Sequence, residues 1–206
     1  VDGSSQLTGP LAERQPSQDR RRAGGPSAGE WDGRWVLPVV RDERRDAARR
    51  AELRTAMARL HFGSLRDGVW TRPLTAPIDP HSTAGAVVTE QCRIFEGEPT
   101  DYPRVLVDEL WALADWSAEA RRLAAALDDA SPALERGDPS GLRDGFVLSA
   151  SVLRHFLADP ELPPAILPND WPGADLRRSY DRYDAAYRAV LQTWLRDRLV
   201  GTDVTR

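Results

Sequence analysis

Between Asp159 and Gly173 the chain carries five prolines, at positions 160, 163, 164, 168 and 172. Proline fixes φ and removes a backbone donor, so neither a helix nor a central strand can run through such a stretch. An extended, turn-rich connection is required there, and the chain must start a new element after it. That element is a helix from about Ala174, because Leu176, Tyr180, Tyr183, Tyr187, Leu191, Trp194 and Leu195 recur in three- and four-residue steps. A stripe so aromatic either packs on its own domain or meets a second copy. Tyr180, Tyr183 and Tyr187 are the candidates for a dimer contact.

Upstream of the proline run, helices are predicted back to Pro99. Pro103 suits a first helical position, and Val105, Leu106, Glu109, Leu110 and Leu113 carry that helix toward Trp116. Ser117 is a candidate cap for a second helix marked by Leu123 and Leu127. Ser131 with Pro132 and Asp138 with Pro139 read as two further starts, and a helix through Phe146, Leu148, Val152, Leu153 and Phe156 follows. Before Pro99 the pattern is mixed. Trp35 to Val40 reads as a strand, with Pro38 arguing for an edge or a bulge. Glu43 to Leu60 reads as a helix with Gly63 as its C-cap, Gly68 as a turn before the strand Val69 to Arg72, and Ala86 to Phe95 as another strand. This order suggests an α+β layer with one helix crossing a sheet whose last strand is not placed, and then an all-helical region.

Chemistry is constrained mostly by what is missing. With 41% hydrophobic and 29% charged residues over 206 positions, the chain has the composition of a globular protein of one or two domains. The net charge of −4 gives no global attraction to nucleic-acid phosphates. Every basic residue is arginine, a composition typical of a GC-rich bacterial genome. Residues 1–30 are rich in Gly, Ser, Pro and Gln, and their run Arg20 to Arg22 reads as a solvated linker. Because no apolar stretch reaches the ~18 residues of a membrane span and no signal peptide opens the chain, a cytoplasmic protein is expected. Cys92, alone, has no internal disulfide partner and reads as a small buried apolar residue. His61, His81 and His155 lack the spacing of metal ligands or of a nucleophile's base, and no phosphate-binding or dinucleotide glycine loop occurs. No catalytic residue, metal or cofactor is therefore expected. One enzymatic alternative rests on Asp42, which follows the first strand as the metal-binding aspartate does in the small CRISPR-associated ferredoxin-like endoribonucleases. The preferred reading is that Asp42 caps the arginine-rich helix.

Four stretches in order then resemble one family. They are Trp31, Asp32, Gly33, Arg34, Trp35; Phe62 through Pro73; Leu110, Trp111 with Trp116; and Asp159 through Gly173. Together they resemble the PaaX-like transcriptional repressors of phenylacetic acid degradation. That resemblance implies a ferredoxin-like middle domain over residues 31–100 and a mainly helical C-terminal domain over 101–206. Residues 1–30 would be a linker and the remnant of a winged-helix wing. The chain would be the effector-binding and dimerising part of a repressor, not an enzyme, relieved by an aryl-CoA such as phenylacetyl-CoA. Operator DNA would be read by a winged-helix head preceding Val1, for which the non-methionine start leaves room. Arg72 suits the anionic end of a CoA thioester, and Trp70 and Trp171 suit its aromatic end. The alternative from another class is a stand-alone small-molecule-binding or interaction protein that never touches DNA.

Overall fold

A computed structural model describes residues 31–42 and 44–202, so the expectations for residues 1–30 lie outside the described residues. Two compact units are present, and among the described residues the chain visits each of them twice. Of the described residues, those up to Leu113 together with Pro160–Asn169 form a sheet unit; Ala114–Asp159 and the residues from Asp170 onward form a helical unit. No described helix is long and apolar enough to cross a membrane.

The sheet unit runs β1 (Trp35–Val40), α1 (Ala47–Arg59), β2 (Gly63–Arg66), β3 (Val69–Pro73), α2 (Thr83–Gln91) and β4 (Cys92–Gly97), followed by α3 (Pro103–Leu110). The four strands lie in the order β2-β3-β1-β4, with antiparallel neighbours throughout, which is the ferredoxin-like topology. Pro38 therefore sits in a central strand and not at an edge. Its missing donor faces β3, where the paired positions skip from Val36 with Arg72 to Val39 with Val69, while pairing with β4 is continuous from Trp35 to Val40. The Thr71 hydroxyl donates to the Val36 carbonyl at 3.1 Å beside the interruption, so that oxygen is satisfied without the ladder.

The strand expected over Ala86 to Phe95 is corrected in its first half. Ser82 caps a helix there, its hydroxyl accepting from the Gly85 amide. Val88 is fully buried whereas Ala86 is exposed, a helical pattern and not an alternating one. Two helices thus cover the sheet in place of the single one expected, and β4 supplies its last strand. Asp42 does not cap α1 either. Its carboxylate accepts from the Arg44 amide, and Asp46 is the N-cap, accepting from the Arg49 amide at 2.7 Å. Gly63 opens β2, and Leu60 is the C-cap of α1. Asp67 and Gly68 turn β2 into β3, with Gly68 at φ 78° as such a hairpin demands. Val36, Leu53, Ala56, Met57, Trp70, Val88 and Cys92 form the core between sheet and helices. Each fully buried aliphatic side chain there contributes about 1.5–3 kcal/mol.

The helical unit comprises α4 (Leu113–Glu135), α5 (Leu142–Leu157) and α6 (Gly173–Thr202), with a 3₁₀ turn at Pro139–Gly141. Neither Ser117 nor Ser131 with Pro132 starts a helix, because α4 runs through both. Ser131 instead donates to the Leu127 carbonyl one turn back, at 2.8 Å. Asp138 does cap, its carboxylate accepting from the Ser140 amide ahead of Pro139. The core joins Leu123 and Leu127 of α4, Val152 and Phe156 of α5, and Leu176, Tyr180 and Tyr183 of α6. Gly145 makes the packing of α5 on α6 this close, since a Cβ there would lie 2.4 Å from the Tyr183 hydroxyl.

Candidate functional site

In the sheet unit, β3 carries Arg72 on the face of the sheet that also holds Val36 and Trp70. Its guanidinium lies over the Phe62 ring, 5.1 Å from the centroid. Nη1 donates to the Pro73 carbonyl at 3.1 Å and Nη2 to the Ala76 carbonyl at 2.8 Å, while Nε has no hydrogen-bond partner. Burial pushes this arginine's pKa down, and the charge of Glu161 opposes that shift.

Glu161 belongs to the segment that returns to this unit. It stands at φ 52°, and His61, at the end of α1, stands at φ 58°; among the described residues these are the only non-glycine positions with positive φ. The two strained residues meet, His61 Nε2 lying 3.7 Å from Glu161 Oε1. Such conformations cost about 1–3 kcal/mol each and persist only where the surroundings over-determine them. Here Pro160 and Leu162 on either side of Glu161 are buried, and the 3₁₀ turn Pro164–Ile166, with Ile166 buried, packs on α3.

Both ends of the same segment are fastened in the helical unit. At one end Asp159 pairs with Arg177 at 2.5 Å, both side chains largely buried. At the other, Asp170 accepts from Arg121 at 2.6 Å, and Trp171 stacks on Trp116 with ring centroids 4.4 Å apart and planes 14° from parallel. Trp116 also stacks on His155, at 4.3 Å. Burial lowers the His155 pKa, partly offset by Glu119 and by the Trp116 backbone. The result is an aromatic ledge, half-exposed at Trp171, with arginines on both sides of it in sequence.

Of the residues expected to bind an effector, Trp70 and Arg72 lie together on β3, and Trp171 lies in the other unit. Trp70 is only 8% exposed and is part of the core, so its ring face is already covered. Tyr180 and Tyr183 are likewise core residues, Tyr183 at 0% exposure, and Tyr187 is half-buried with its hydroxyl donating to the Leu142 carbonyl. The first two present no surface to a second copy. Burial pushes the Tyr183 pKa up to about 12. Sequence reasoning misses the His61–Glu161 contact and the stacking of His155; the only signal for either is position beside the Asp-Pro motif. It also misses a shallow cavity of about 350 Å³ in the helical unit, lined by Pro139, Ser140, Leu142, Arg143, Leu191 and Trp194. Among the described residues no three His, Cys, Asp or Glu side chains converge as a metal site would require.

Comparison with known families and structures matches two domain descriptions. Residues 28–102 match the PaaX protein central Cas2-like domain, and residues 111–197 match the PaaX-like protein C-terminal domain. No curated protein matches. Among solved structures, the chain is similar to an uncharacterized protein, Rv0674, from Mycobacterium tuberculosis. The two share 32% identity and a TM-score of 0.71, over 91% of this chain and 74% of the other.

Proposed function

Because the chain belongs to the PaaX-like family of regulators, we propose that it is the effector-binding and dimerising part of a cytoplasmic repressor of aromatic-compound catabolism, relieved by an aryl-CoA thioester such as phenylacetyl-CoA. Operator DNA would be engaged through a winged-helix domain, which the described residues do not include. The observation that carries the effector reading is the ledge of Trp171, Trp116 and His155 beside Arg121. A flat aryl group gains from offset stacking on an exposed indole, and CoA phosphates gain from guanidinium forks. Trp171 is partly exposed, whereas Trp70 is a core residue.

Thermal denaturation with phenylacetyl-CoA, benzoyl-CoA, acetyl-CoA and the free acids tests the proposal. A ligand at a hundredfold over its dissociation constant stabilises the folded state by about 2.7 kcal/mol. Aryl thioesters should raise the midpoint, free acids should do so much less, and Trp171→Ala should abolish the difference between aryl and acetyl thioesters. A folded protein indifferent to every thioester refutes effector binding, and Trp194→Ala removing the response in place of Trp171→Ala would move it to the cavity.

A further inference from the structure

The segment Pro160–Asn169 lies on the sheet unit without joining its backbone hydrogen bonding. Among the described residues its own backbone bonds are internal, Ile166 donating to the Pro163 carbonyl and Leu167 to that of Pro164, and none runs to a strand or helix of the unit. Side chains seat it instead. Pro160, Leu162, Pro163 and Ile166 are buried, and Arg104 donates to the Asn169 side chain at 3.5 Å. Four prolines leave the segment stiff, and beyond its ends Asp159 is fastened to Arg177 and Asp170 to Arg121. A stiff segment with no ladder to break can leave its support as one body, at less cost than a strand leaving a sheet.

Apolar contact alone would seat such a segment, yet at one point it carries charge and strain. Glu161 is the only charged residue among its ten. The carboxylate faces His61, and its charge also acts on Arg72. His61 follows the C-cap of α1, where the Phe62 amide donates to the Met57 carbonyl at 3.0 Å and the His61 amide to that of Ala58 at 3.2 Å. Those paired bonds close a helix on a left-handed residue, and glycine is the usual occupant because it has no Cβ to strain. Glu161 stands in the same region, at φ 52°. Neither backbone conformation calls for an ionisable side chain. What the two positions share is the contact of their side chains, 14% and 25% exposed.

We infer that Pro160–Asn169 is a strap, clasped to the sheet unit by Glu161 against His61, that lifts as a body while the unit stays folded. Its ends remain fastened when its centre opens. Leu162 and Ile166 seat it apolarly, and the clasp decides how often it lifts. The strap gives the sheet unit a second state, open over the surface of α3 that Pro164–Ile166 cover. The clasp operates whether or not a thioester binds.

Hydrogen exchange of the whole chain, resolved by residue, reads the strap at the Leu162, Ile166 and Leu167 amides and the core at those of β1. In the wild type the strap should exchange through its own opening, well before β1. Glu161→Gln keeps the backbone cost and removes the charge. It should speed strap exchange about fivefold, the worth of a partly buried ion pair, and leave β1 unchanged. His61→Gly separates the clasp from ordinary packing. Glycine suits the end of α1, so the Phe62 amide should exchange more slowly while the strap exchanges faster; a contact that merely packs would move both the same way. Strap amides that exchange only in step with β1 overturn the strap. Strap exchange unchanged by Glu161→Gln, quickened by it equally with β1, or not quickened by His61→Gly overturns the clasp.

Discussion

The sheet unit and the helical unit bury different chemistry. The buried polar residues of the sheet unit are Thr71 and Gln91, whereas the helical unit buries Ser117, Ser131, Asp159, Ser179 and Asp184. In the first, apart from Arg72 and the contact of His61 with Glu161, the core is left to apolar packing between sheet and helices, so packing volume decides most of its stability. The second has no ladder. Its helices are held partly by desolvated pairs and hydroxyls, and a buried charge is stable only while its partner is present. The two units should consequently fail under different insults: loss of volume for one, loss of a charge or a change of pH for the other.

The strongest test of that contrast is Asp159→Ala. Leaving Arg177 without its carboxylate in a nearly closed site should cost about 3–5 kcal/mol and lower the melting of the helical unit, read by near-ultraviolet dichroism of its tryptophans. Asp159→Leu combined with Arg177→Met should recover most of the loss. A loss confined to surface values, under about 1 kcal/mol, would break the comparison.

Acidification should have a smaller effect, and in the same unit. Burial holds the His155 pKa below the ordinary value of 6.5, so the unfolded chain takes up a proton that the folded chain refuses. Stability is then fully present above pH 6.5 and declines as the pH falls through that value toward the folded pKa. Denaturant midpoints measured between pH 7.5 and 5.5 should fall, and His155→Phe should flatten the slope. An unchanged slope would show that another group governs it.

Least affected should be Cys92. Burial raises its pKa to about 11, with Arg45 and Arg41 opposing only in part, and the side chain is 0% exposed. At neutral pH it should react with a thiol reagent no faster than the sheet unit opens. Rapid labelling of the native protein would contradict a dry, closed core there.

The same contrast explains how much of the fold is legible in the sequence. The stripe of α6 is legible because its large residues keep one period over most of thirty positions. Ala86 to Gln91 is not, since Ala and Val at short range fit a strand and a helix equally, and only the Ser82 cap decides. Pro38 misleads because an edge is the ordinary refuge for proline, and the Thr71 hydroxyl that compensates for it is distant in sequence. As for the candidate site, residue type and motif single out Arg72 and Trp171 as candidates. They do not reveal the strained meeting of His61 and Glu161, which joins residues 100 positions apart that have no complementary periodicity.

Non-consecutive units also impose an order in time. The sheet unit is complete only when Pro160–Asn169 are in place, although its other described residues end at Leu113. A ribosome adding ~5–20 residues per second needs a few seconds more to deliver that segment. During that interval the surface of α3 that receives Pro164–Ile166 is bare, and the helices of the other unit are emerging. Truncation after Leu113 should reproduce this waiting state permanently, so the nascent chain has most need of a chaperone between the synthesis of its two visits to one core.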